Sequence, residues 1–281
     1  MNKQIIYKSE EGKQQLLQFY KNVLADVDYD YNEIYIDTSF GRTYLFEAGS
    51  PEKTPVFLFH GSCSNSAMWY GDIKVLYENY HVLSVDILGE PGNSDARRLD
   101  LKSNDHALWI NEILEKLNIS KAIFIGNSIG AWMIQKFAIN FPDKAEKLVL
   151  IAPSGIVNIK TSFLFKTIIY VIQGETGRNK LGKLIYVEDE IPDIVITFNK
   201  LINDNFNPIM GSIPAFSDTE LSRLSMPTLF MCGENDAIVD AKKASQKLKS
   251  TLRQPHINII NDNGHVIFDT MKEIIPFLDG K

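Results

Sequence analysis

Three residues of the chain are of types that together activate a hydroxyl for attack on a carbonyl. Ser128 lies in Gly126-Asn127-Ser128-Ile129-Gly130, Asp236 in Gly233-Glu234-Asn235-Asp236, and His265 directly after Gly264. A serine hydroxyl alone is a poor nucleophile and needs an imidazole within hydrogen-bonding reach to take its proton. The imidazole in turn needs a carboxylate to hold the useful tautomer and to stabilise the cation that forms. Each of the three residues follows closely on a short apolar run.

Those runs are the elements that must bring them together. Ile123-Phe124-Ile125 enters the Gly-x-Ser-x-Gly turn and a helical pattern starts at Ile129, so the segment reads as strand, sharp turn and helix. Side chains at Gly126 and Gly130 would collide with neighbouring backbone in such a turn, and the serine is pushed out where a substrate meets it. Further strands are predicted at 54–59, 81–85, 147–151, 227–233 and 256–260, the first an uninterrupted apolar run of the kind found at the buried centre of a parallel sheet. Helices are predicted over 8–25, 105–117, 129–141 and 241–252, with a last one from Val266 towards Leu278. An antiparallel hairpin is expected from 33–39 and 42–48. A parallel sheet places Ser128, Asp236 and His265 along one edge, and the order Ser, Asp, His is the one associated with this type of sheet.

Other residues of the same types lie elsewhere in the chain. Of five histidines, His81 and His256 fall at strand starts, on the wrong side of the sheet, and His106 falls within a helix. His60 is on the correct side, but its place before Gly61 points to loop organisation. For the acid, Asp236 competes with Glu234, Asp240 and Asp262; its position a few residues beyond a strand end favours it, and the others read as caps or solvated charges. Asp86, in the turn after 81–85, reads as a fixer of loop backbone.

The chain has 281 residues and a formal net charge of −6, which argues against a nucleic-acid or anionic-membrane partner. Cys63 and Cys232 form no disulfide framework and no zinc pattern. The first residues lack the apolar core of a signal peptide. The longest apolar run, 163–172, carries Lys166 and is too short to span a bilayer. A soluble, cytoplasmic protein is the expectation. Between 156 and 225 the strand rhythm stops and helical patterns rich in Phe163, Phe165, Ile168, Ile169, Phe198 and Ile202 take over, an insertion read as a cap with a greasy underside over the site.

The His60-Gly61 loop, Asp86-x-x-Gly89-x-Pro91-Gly92-x-Ser94, the Ser128 turn, Gly233-x-x-Asp236 and Gly264-His265 occur in the order found in the α/β-hydrolase fold family, and the chain resembles its cap-bearing serine esterase branch from about Ile34 onward. The resemblance implies an α/β architecture with a mostly parallel central sheet flanked by helices. The expected divisions are an N-terminal helical extension (1–30), a first core part (31–155), a helical cap inserted between two strands (156–225) and a second core part (226–281). It also implies an oxyanion hole made by the backbone N–H groups of Ile129 and Ser62, with Cys63 a poorer substitute for Ser62. The reading is a hydrolase of small hydrophobic carboxylic esters acting through an acyl-Ser128 intermediate, with no metal and no cofactor. A thioesterase, a carbon–carbon bond hydrolase, an acyltransferase or a non-catalytic small-molecule receptor are the alternatives. Oligomeric state is not legible.

Overall fold

The computed structural model describes residues 5–186, 191–209 and 212–280. The expected segments 1–30, 156–225 and 226–281 therefore include residues, namely 1–4, 187–190, 210–211 and 281, that lie outside the described ones.

The chain opens with α1 (Glu10–Ala25), started by the Ser9 side chain, which accepts the Gly12 N–H, and by two acids in the first turn. Leu16, Tyr20 and Leu24, four apart, form its buried stripe. β1 (Tyr31–Thr38) and β2 (Gly41–Ala48) pair antiparallel, Tyr31 opposite Ala48 and Thr38 opposite Gly41. Then follow β3 (Pro55–Phe59), a 3-10 turn (Ser66–Trp69), α2 (Tyr70–Leu76), β4 (His81–Val85), α3 (Asp105–Lys116), β5 (Ala122–Asn127), α4 (Ile129–Asn140) and β6 (Ala145–Ile151). After β6 come α5 (Thr161–Ile172), α6 (Gly174–Ile185), α7 (Asp193–Asn205) and α8 (Asp218–Leu221), then β7 (Thr228–Gly233), α9 (Ala241–Thr251), β8 (Pro255–Ile260) and α10 (Met271–Leu278).

The strands form one eight-stranded sheet in the order β1-β2-β4-β3-β5-β6-β7-β8. β1 and β2 run against their neighbours, and every pair from β4 to β8 is parallel. Residues alternate between the two faces, as the pleat requires. Phe57, Phe59 and Phe124 join a core with Trp109, Phe137 and Leu248 from the α3, α4 and α9 side. Val56, Leu58, Ile123 and Ile125 join a second core with Tyr20, Ile73 and Ile274 from α1, α2 and α10. α4 is buried over nearly its whole circumference, from Ile129 through Ile139, which explains why its sequence lacks a polar face.

The observed elements depart from the expectations in three places. The 3-10 turn and α2 were not among the predicted helices; the Asn65 side chain starts them by accepting the Ala67 N–H. The last helix starts at Met271 rather than Val266, because the N–H groups of His265 and Val266 bond to the Ile185 carbonyl and Asp269 takes a left-handed φ of 55°. Third, the apolar side chains between β6 and β7 do not form one greasy underside. Ile202 and Phe206 are buried with Ile6 and Leu16, Phe198 stacks on Phe19, whereas Phe165, Ile168 and Ile169 face solvent. α7 thus spends its apolar face on the N-terminal segment. Among the described residues no helix is long and apolar enough to cross a membrane.

Candidate active site

Ser128 sits between β5 and α4 with φ 50° and ψ −107°, a conformation that side chains rarely adopt. The surroundings hold it there: its N–H donates to the Ile151 carbonyl, and its own carbonyl accepts from Trp132 and Ser154. α4 starts so close to β3 that a Cβ on Gly130 would lie 2.3 Å from the Phe59 carbonyl oxygen, so no other residue fits there without moving backbone.

Asp236 lies three residues past β7 and is fully buried. Its Oδ1 accepts the N–H groups of Ile238 at 2.7 Å and Val239 at 2.9 Å, which leaves Oδ2 to accept from His265 Nδ1 at 2.8 Å. Burial alone would raise this carboxyl. The hydrogen bond and charge of His265, together with the two backbone donors, outweigh it and hold the group below the ordinary carboxylate range. Lys160 Nζ donates to the Asp236 carbonyl at 2.6 Å, bracing the same loop from the β6–α5 connection.

His265 follows β8. Its loop approaches β7 closely enough that a Cβ on Gly233 would lie 2.1 Å from the Gly264 carbonyl oxygen, and that approach brings the imidazole to Asp236. With Nδ1–H donating to the carboxylate, Nε2 carries the lone pair and accepts from Ser128 Oγ at 3.1 Å. Ser128, His265 and Asp236 therefore form one continuous hydrogen-bonded chain.

The rivals are engaged elsewhere. Asp240 caps α9 through the Lys243 N–H, and Glu234 and Asp262 are exposed. His81 pairs with Glu47, His256 packs on Phe277, and His106 packs edge-on to Trp132. His60 is buried, and burial pushes its imidazole down to about 4, so it is neutral. Its Nδ1–H donates to the Gly61 carbonyl and its Nε2 accepts the Ile87 N–H, so it ties the loop after β3 to the loop after β4.

That tie is one of several. Asp86 accepts the N–H groups of Ser66 and Asn93 and the hydroxyl of Tyr20 on α1. Asn65 donates to the Pro91 carbonyl, and Glu90 accepts the Cys63 N–H at 2.6 Å. In the loop so fixed, the Cys63 N–H is taken; the N–H groups of Ser62 and Ile129 have no acceptor among the described residues. The loop role expected of Asp86 agrees with these bonds. Glu90 and Lys160 carry no local sequence signal, since each acts on a loop distant in the chain.

A mostly parallel sheet with helices on both faces, a serine at a strained strand-to-helix turn, and an aspartate and a histidine after the last two strands are the features of the α/β-hydrolase fold. The α/β-hydrolase fold family model matches residues 54–174. Over 240 residues the chain is 25% identical to an uncharacterized carboxylesterase, nap, of Bacillus subtilis, covering 83% of this chain and 80% of the relative. The carboxylesterase YbfK of the same organism is 24% identical over 245 residues, covering 83% and 81%. The crystal structure of that carboxylesterase superposes with a TM-score of 0.84 at 22% identity, covering 96% of this chain and 99% of the other. The chain has the α/β-hydrolase fold and is similar to that family over the matched residues, and the relatives it resembles include carboxylesterases.

Proposed function

We propose that this chain is a serine hydrolase that cleaves a carboxylic ester, with Ser128 as nucleophile, His265 as general base and acid, and Asp236 as the carboxylate that orients the imidazole. The observation that carries the reading is the hydrogen-bonded chain from Ser128 Oγ through the His265 ring to Asp236 Oδ2, 3.1 Å and 2.8 Å long. The activity of the carboxylesterase relatives supports it.

As Ser128 Oγ bonds to the carbonyl carbon, its proton passes to His265 Nε2, and the imidazolium is stabilised by Asp236. The carbonyl oxygen becomes an oxyanion that accepts hydrogen bonds from the Ser62 and Ile129 N–H groups. The ester C–O bond then breaks, and the alcohol leaves with the proton from His265. Water attacks the acyl-serine, giving its proton to His265; the tetrahedral intermediate collapses to the acid as the proton returns to Ser128 Oγ. Losing one oxyanion donor of this kind typically costs about 3 kcal/mol of barrier.

Residues 156–225 are proposed as the cap, bounding the space over Ser128. The substrate is proposed to be a small hydrophobic ester. p-Nitrophenyl esters of graded acyl length test the reading: turnover that is abolished by a fluorophosphonate is expected, and a folded protein with neither turnover nor labelling contradicts it.

A further inference from the structure

We propose that Glu90 is a positioning residue for the oxyanion-binding loop: its buried carboxylate takes the Cys63 N–H and thereby fixes the peptide plane that follows Ser62. The proposal rests on the ester-hydrolase reading of the site.

Glu90 is 1% exposed, and its Oε2 lies 2.6 Å from the Cys63 nitrogen. Cys63 takes a left-handed φ of 59°, unfavourable for a residue with a side chain, so something must hold it. The bond from Glu90 does this from across the loop after β4. Two adjacent N–H groups, Ser62 and Cys63, compete to face a developing oxyanion. A buried Glu90 oxygen that accepts from the second removes it from that competition and sets the direction of the first.

A need for loop stiffness alone is already met by neutral groups, since Asn65 donates to Pro91 and His60 to Gly61 within the same pair of loops. An ionisable acceptor is the costly choice there. Burial, against the pull of the Cys63 N–H and the Arg98 charge, pushes the Glu90 carboxyl up to about 7, and its Oε1 has no partner among the described residues. Arg98 is itself held by the Asn207 and Pro208 carbonyls, so the positive charge near Glu90 is fixed by the segment after α7.

The experiment compares Glu90→Ala, Glu90→Leu and Glu90→Gln in the full chain, measuring kcat and KM on a p-nitrophenyl ester together with melting temperature. Gln keeps a carbonyl oxygen that accepts the Cys63 N–H; Ala and Leu do not. The expected result is a kcat lower by about 10- to 1,000-fold in the Ala and Leu variants with KM changed less than about threefold, and recovery of most of kcat in Gln. Should the Ala cavity unfold the chain, the Leu and Gln pair carries the same comparison. Wild-type kcat in a folded Leu or Ala variant, or an equal loss in Gln, overturns the proposal. Failure of the wild-type protein to turn over any ester and to be labelled overturns the ester-hydrolase reading instead.

Discussion

The Asp236 carboxylate divides its two oxygens between backbone and imidazole: Oδ1 is fixed by the Ile238 and Val239 N–H groups, and Oδ2 meets His265 Nδ1 at 2.8 Å. A carboxylate held from two sides cannot rotate to follow the histidine, so the histidine must come to it. This selects the Nδ1–H tautomer and leaves Nε2 open towards Ser128.

Exchanging the carboxylate for an amide tests that arrangement. Asp236→Asn removes the acceptor for Nδ1–H and should lower kcat by about 10⁴-fold. Asp240→Ala removes only the α9 cap; it should cost about 1 kcal/mol of stability and leave kcat within about twofold. Steady-state kinetics and thermal melts of both variants check this, and the reverse ranking would reassign the acid.

The same group gives a pH dependence of stability. Its carboxyl is held below the ordinary range in the folded chain, so its contribution to stability is fully present above the unfolded-state value, about 3.9. That contribution is lost as pH falls through the lower folded-state value. Asp236→Asn should therefore lower the melting temperature more at pH 7 than near pH 3. A penalty that is larger in acid would contradict the sign of the shift.

Strain at Ser128 makes a third, separable prediction. The residue holds φ 50° and ψ −107° at a cost of about 1–3 kcal/mol. Ser128→Gly should relieve part of this and raise the melting temperature by a few degrees while abolishing turnover. Ser128→Ala should lose about 10⁴- to 10⁶-fold in kcat with little change in stability. Differential scanning calorimetry beside the activity assay distinguishes the two effects.

Gly130 is the point where α4 touches β3. A methyl group there would meet the Phe59 carbonyl oxygen at 2.3 Å, so Gly130→Ala should destabilise the chain by about 3 kcal/mol or more. A shifted denaturant midpoint or loss of soluble protein is the expected outcome, and a wild-type midpoint would mean that the contact yields easily.

Most of the sheet was legible because its central strands are largely apolar runs ending in tight polar turns; Ser128 and Asp236 each follow one, and His265 follows the edge strand β8. α2 was not legible: it is a seven-residue helix entered through a 3-10 turn, too short for periodicity to speak. The false start of the last helix at Val266 has a tertiary cause, the bonds from residues 265 and 266 to Ile185. The exposure of Phe165 and Ile168 was hidden for a related reason. Apolar periodicity tells which face is greasy, not which neighbour covers it. Glu90 and Lys160 reach loops far away in sequence, so no local pattern announces them.

The central claim is that the Ser128 hydroxyl becomes covalently acylated with His265 as its base. Intact mass spectrometry after reaction with a fluorophosphonate, followed by peptide mapping, tests it most directly. A single adduct on the peptide containing Ser128, absent in Ser128→Ala and greatly slowed in His265→Ala, is predicted. Labelling of another residue, or equally fast labelling without His265, would contradict the account.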